Sequence, residues 1–352
     1  MSKIKYEKSI NLALQGGGAH GAFTWGVLDR LLEEEKLHIN AISGTSAGAM
    51  NAIILVNGYM KDGAKGARQG LEDFWADISD MGNPLGSFDE GPLEPFMTPL
   101  RNLDWSLTCT AFDIMSRLLS PYTLNPLNLN PLRTLLQKHV DLKHIHSCSR
   151  TKLFIAATQV QTGHPRIFTD GEISIDSVLA SACLPFLFQA VMIDGEPYWD
   201  GGYMGNPVIW PLIYNTKIQD ILLVQINPLY SEGVPMKSAE IINRMNEINF
   251  NSSLISEMRA INFVSKLIRE GRLDTDKYHD VRMHMIQMVG KTDELSVYSK
   301  MNTRWDYFVT LKEAGRESAE TWLKQHYHHI GEKSTIDINR AFLQPHHKHK
   351  SA

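Results

Sequence analysis

Residues 10–14, INLAL, are a short apolar run stopped by the glycine cluster GGGAHG at 16–21, and Phe23, Val27, Leu28, Leu31 and Leu32 then recur at helical spacing over 22–35. This predicts a buried strand, a tight turn and a helix. A second unit follows: the strand INAIS at 39–43, the turn GTSAG at 44–48 and the small-residue helix AMNAIILVNG at 49–58. Repeated strand–turn–helix units require crossover connections, so the chain is expected to build a parallel sheet covered by helices. Further strands are expected at 152–160, 166–170, 190–199, 220–226 and 281–289, and helices at 64–80, 238–270 and 305–327.

A chain of 352 residues that is 43% hydrophobic can bury a large core. Its net charge of -4 removes the basic surplus that non-specific nucleic-acid binding needs, so no nucleic-acid partner is expected. The apolar run before the first glycines is too short for a signal-peptide core, and no apolar segment approaches the roughly 20 residues of a membrane span. The expected location is cytoplasmic, with peripheral contact at membranes left open. Cys109, Cys148 and Cys183 lack metal-ligand spacing, and neither a disulfide nor a zinc site is expected.

GGGAHG satisfies G-x-G-x-x-G, the opening of a dinucleotide-binding unit, but that reading needs an acidic residue at the end of the next strand. GTSAG stands there instead. A phosphate loop is excluded as well, because no Lys-Ser or Lys-Thr follows the glycines. GTSAG is a G-x-S-x-G sequence, in which small residues let the chain bend sharply and present Ser46 at its tip. Neighbouring parallel strands bring the two turns together, so the amides of Gly17 and Gly18 can face the oxygen of a carbonyl that Ser46 attacks. The amides are expected to serve a transient oxyanion.

Serine needs a base. An α/β-hydrolase uses a late histidine and places several strands before its nucleophile, an arrangement that does not suit an early Ser46. His279, His284, His326, His328 and His329 read as surface histidines. Asp200-Gly201-Gly202, after the strand EPYW, offers an aspartate free to approach another loop, with Tyr198, Trp199 and Tyr203 to desolvate it. In isolation the tripeptide reads first as an ordinary Asp-Gly turn.

The combination GGGAHG at 16–21, GTSAG at 44–48, LASACLPFLFQAV at 179–191 and DGG at 200–202, in that order, resembles the patatin-like phospholipase family, in its bacterial form. The resemblance covers residues 8–227. It implies a three-layer α/β/α fold with a mainly parallel central sheet and a serine–aspartate dyad without histidine. Ser46 would be the nucleophile, Asp200 the base, and Gly16, Gly17, Gly18 and Ala19 the oxyanion loop. His20, Gly21, Gly44, Gly48, Gly201 and Gly202 would support these motifs. Gln15 stands where plant-type members have aspartate, and His20 where a basic residue is frequent; His20 would bind a lipid phosphate or hold the loop. No metal or cofactor is called for.

The expected organisation is a catalytic domain over 8–227, with an insertion of helices and loops at about 81–131, and a helical extension over 228–352 packed on the same domain. The tail 345–352 is rich in histidine. The stripe Ile241, Ile242, Met245, Ile248, Ile255, Met258 and Ile261 is expected to be core, and stretches 105–119 and 182–191 to wall an acyl chain. The function this implies is lipid acyl hydrolysis, releasing fatty acid from phospholipids or related esters. A transacylase, a depolymerase of an intracellular polyester and a non-catalytic lipid- or protein-binding module are the alternatives. The oligomeric state is left open.

Overall fold

The computed structural model describes residues 6–82, 120–231, 233–274, 276–288 and 297–344. Eight strands form one sheet: β1 (Lys8–Leu14), β2 (Leu37–Gly44), β3 (Lys152–Gln159), β4 (Pro165–Thr169), β5 (Val191–Ile193), β6 (Glu196–Asp200), β7 (Asp220–Gln225) and β8 (Arg282–Gln287). The order is β5-β6-β3-β2-β1-β7-β8, with β4 paired to β3. Strands β3, β2, β1, β7 and β8 run parallel, while β4, β5 and β6 add antiparallel pairs at one end.

One side of the sheet carries α1 (Gly21–Leu31), α2 (Ala47–Gly82, interrupted at Asp62 and Gly63) and α9 (Trp305–His326). The other carries α7 (Trp210–Asn215) and α8 (Ser238–Arg269). Alternation along the strands divides the core accordingly: Leu12, Leu14, Leu222 and Val224 join the cluster under α1 and α2, whereas Ala13, Ile221 and Leu223 join Leu212, Leu254 and Met258. This is the three-layer α/β/α fold expected from the sequence. Between β2 and β3 lie α3 (Pro121–Leu124), α4 (Pro131–His139) and α5 (Leu142–Ser147), and α6 (Ile175–Ser181) precedes β5.

Helices α1 and α9 approach so closely that a Cβ on Gly26 would lie 1.9 Å from the Lys312 carbonyl oxygen and one on Gly315 2.1 Å from that of Phe23. Glu257 on α8 accepts from the amides of Ile209 and Trp210 at 2.9 and 2.8 Å, tying α8 to the start of α7.

The region after 228 is not purely helical, since β8 pairs in register with β7 over six residues and extends the same sheet. The apolar stripe of α8 divides. Met258 and Ile261 are core and Ile255 packs against it, but Ile241, Met245 and Ile248 are 41%, 56% and 53% exposed, contrary to the expectation that the whole stripe packs inward. The inward face of that half is used by Glu247 and Asn251, which are buried. Residues 105–119 and the tail 345–352, like most of the insertion, lie outside the described residues.

Candidate active site

Ser46 stands two residues past the end of β2 and directly before α2. Its φ of 54° lies in the left-handed region, a strained conformation for a residue with a side chain, costing about 1–3 kcal/mol that the surroundings must supply. The surroundings do so through hydrogen bonds. The Ser46 amide donates to Ser181 Oγ at 2.9 Å, the Ser46 carbonyl accepts from Met50, and Thr45 Oγ1 donates to the Gly205 carbonyl at 2.8 Å. Only glycine fits at position 48, where a Cβ would lie 2.3 Å from the Leu14 carbonyl oxygen, so α2 can start directly against the end of β1.

Asp200 ends β6. Strand β4 covers Phe154–Thr158 on one edge of β3, so β2 and β6 share the other: β2 pairs with Lys152–Ile155 and β6 with Ala157–Gln159. The carboxylate therefore emerges just past the end of β2, where Ser46 sits. The Ser46 side chain is near enough to favour its ionised form, and the Gly202 amide donates to Asp200 Oδ1 at 2.7 Å. The Asp200 backbone is pinned by the Cys183 carbonyl at 2.8 Å and by Thr158 Oγ1 at 2.8 Å. Asp200 is 2% exposed, and burial pushes its carboxyl up to about 7 against the opposing Gly202 amide and Ser46 side chain. Tyr198 is buried, and the Tyr203 ring meets Phe250 of α8 at 5.6 Å.

The glycine loop follows β1 and lies against the same turn; a Cβ on Gly16 would come 2.6 Å from that of Ser46. The Gly16 amide donates to Asn206 Oδ1 at 2.6 Å, which removes it from the expected oxyanion donors. The amides of Gly17 and Gly18 meet no acceptor among the described residues. Ala19 and His20 continue as a short 3-10 turn into α1, Gly21 packs on Ala47, and Gly44 and Gly201 sit at equally close backbone approaches. Gln15 anchors the loop: its Oε1 accepts from the amides of Ile226 and Asn227 at 2.8 Å each, and its Nε2 donates to the Asn206 carbonyl at 3.0 Å. Asn227 Nδ2 donates to the Gly16 carbonyl at 2.8 Å.

His20 holds the loop. It is buried, its Nε2 is 2.9 Å from Ser299 Oγ, and burial, with Lys300 adding to it, pushes the imidazole down to about 3. A neutral ring of this kind carries no charge for a phosphate. Asn206, Asn227 and Ser181 were not singled out from the sequence. They are remote in the chain from the residues they hold, and only Ser181 lay within a motif that drew notice.

His284 corrects another expectation. It is buried rather than superficial, with Nε2 3.0 Å from Asp220 Oδ1 and Nδ1 3.0 Å from Thr335 Oγ1. Asp220 begins β7, at the opposite end of the parallel strands from Ser46, so this histidine–aspartate pair cannot serve it. Burial alone would raise the Asp220 carboxyl, but His284, Arg282 and the Gly331 amide hold it down to about 2. Cys148 and Cys183 are free thiols. No group of three or more potential metal ligands occurs among the described residues, and no described helix is long and apolar enough to cross a membrane.

The structure is similar to that of VipD from Legionella pneumophila, with 16% identity, a TM-score of 0.41 and coverage of 90% of this chain and 67% of the other. It is also similar to ExoU in its complex with SpcU from the type III secretion system of Pseudomonas aeruginosa, at 17% identity and a TM-score of 0.38, covering 91% of this chain and 52% of that one. The chain thus spans about half to two thirds of the length of these proteins. No curated protein matches at a comparable level. The profile of the patatin-like phospholipases matches residues 12–213, more than half of the sequence and including every glycine turn described above, so the chain belongs to the patatin-like phospholipase family.

Proposed function

We propose that the protein is a lipid acyl hydrolase in which Ser46 is the nucleophile and Asp200 the base. The observation that carries this reading is the buried Asp200 carboxylate, placed by β6 just past the end of β2 where the Ser46 side chain acts on it, beside two amides free to receive charge. A carboxyl raised to about 7 is ionised enough near neutrality to take a proton and basic enough to hold it. On this reading Asp200 accepts the Ser46 proton as Oγ bonds to the ester carbonyl carbon. The resulting oxyanion lies against the amides of Gly17 and Gly18. Collapse breaks the bond to the alcohol, which leaves with the proton from Asp200. Water, deprotonated by Asp200, then attacks the acyl-serine and frees the fatty acid.

No step calls for a metal or a cofactor. The catalytic unit would comprise residues 8–227, with the segment 182–191 beside Asp200 contributing to the acyl wall, and contact with lipid would be peripheral. The test is hydrolysis of short- and long-chain nitrophenyl esters and of phosphatidylcholine vesicles by wild type and Ser46→Ala. Activity should fall to background in the folded variant, and a fluorophosphonate should label Ser46 in the wild type alone. Retention of wild-type rates by Ser46→Ala refutes the mechanism.

A further inference from the structure

Lys300 belongs to the 3-10 segment Val297–Met301, far along the chain from the glycine loop it packs against. Its Nζ donates to Asn227 Oδ1 at 3.0 Å, and the Nδ2 of the same asparagine holds the Gly16 carbonyl at 2.8 Å. Its own carbonyl oxygen lies 2.5 Å from where a Cβ on Gly18 would be. Gly18 has a φ of +58°, so the Lys300 backbone and the left-handed turn fit only with glycine. Lys300 therefore meets the loop directly at Gly18 and, through Asn227, at Gly16.

The charge is as notable as the contact. Among the described residues Lys300 has no ion pair. The carboxylate that acts on it is Glu247 of α8, which is itself paired with Arg244 at 3.0 Å, and the imidazole facing it across the loop is the uncharged His20. Holding a lysine in partial burial without a paired anion is costly, and a protein gains from it where negative charge appears nearby during a reaction.

We infer that Lys300 is a positioning residue of the glycine loop: through Asn227 and Gly18 it fixes the amides of Gly17 and Gly18, and its ammonium lies behind them as counter-charge to an oxyanion. The inference rests on the function proposed above. Burial lowers the Lys300 ammonium from its ordinary range, with Glu247 opposing, so its proton is lost at a lower pH than that of a free lysine. The rate should then rise with pH as Asp200 ionises and fall again at alkaline pH as Lys300 is discharged.

The experiment measures kcat and KM on a soluble nitrophenyl butyrate from acid to alkaline pH for wild type, Lys300→Met, Lys300→Arg and Ser46→Ala, with folding followed by near-ultraviolet circular dichroism. Lys300→Met should lower kcat by about 10²-fold, the scale of losing one oxyanion donor, with little change in KM, and should lose the alkaline fall. Lys300→Arg should recover most of kcat and move the alkaline fall to higher pH, because guanidinium stays charged. The inference is overturned if folded Lys300→Met keeps wild-type kcat, or if it loses rate while the alkaline fall stays in place. A wild-type profile flat into the alkaline range overturns it with no variant needed. An inactive Ser46→Ala beside an unchanged Lys300→Met sinks this inference alone; an active Ser46→Ala sinks both.

Discussion

Replacing Asp200 by Asn should make the protein more stable, and increasingly so as pH rises. An unfolded Asp ionises near 3.8, whereas the folded carboxyl ionises at about 7, a gap of about three pH units. For an acid whose folded value is raised, the native state holds its proton more tightly than the unfolded chain. The associated stability is complete below the unfolded value and is lost as pH rises through the folded one. At about 1.4 kcal/mol per unit the full loss is about 4 kcal/mol, reached above the folded value of about 7. At about pH 5.5 only about half of it has accrued. The difference between Asp200→Asn and wild type should therefore widen by about 2 kcal/mol between about pH 5.5 and pH 8.5, to the advantage of the variant. Urea unfolding followed by tryptophan fluorescence at the two pH values measures this directly. A difference that is constant with pH would refute the assignment of a raised, desolvated carboxyl at Asp200. The same titration should appear in the rate, with kcat/KM falling about tenfold per unit below the folded value of about 7.

Two further outcomes probe the frame. Gly315→Ala places a methyl group 2.1 Å from the Phe23 carbonyl oxygen and must part α1 from α9, so thermal denaturation should report a loss of about 3 kcal/mol or more. His284→Ala removes one partner of the buried Asp220 and should destabilise by about 3 kcal/mol in chemical denaturation, while kcat on a soluble ester below the unfolding transition stays at the wild-type level.

Local chemistry made the two turns legible. Gly44 to Gly48 and Gly16 to Gly21 declare a strand end, a bend and a helix start within a few residues, and the alternation of Leu12, Ala13 and Leu14 already divides the two faces of the sheet. Gln15 drew notice only as a departure from a pattern. Its partners, Asn206, Ile226 and Asn227, lie about two hundred residues away, and no spacing rule links an amide side chain to donors and acceptors at that separation. His284 was misread because β8 surrounds it with alternating residues that look half-solvated; α9 covers that face, where the Trp322 ring stands 5.7 Å from the imidazole. The stripe of α8 breaks for a different reason: Ile241, Met245 and Ile248 stand on the face of the helix opposite Met258 and Ile261, and the inward positions of that half are the polar Glu247 and Asn251.

The shared edge of β3 has an evolutionary corollary. Because β2 and β6 dock end to end on one neighbouring strand, the separation of Ser46 and Asp200 is set by sheet geometry. The roughly seventy residues between α2 and β3 take no part in that pairing, so they can lengthen, shorten or diverge without moving either group. If the pair acts as proposed, sequence change in that segment would leave its geometry as it is.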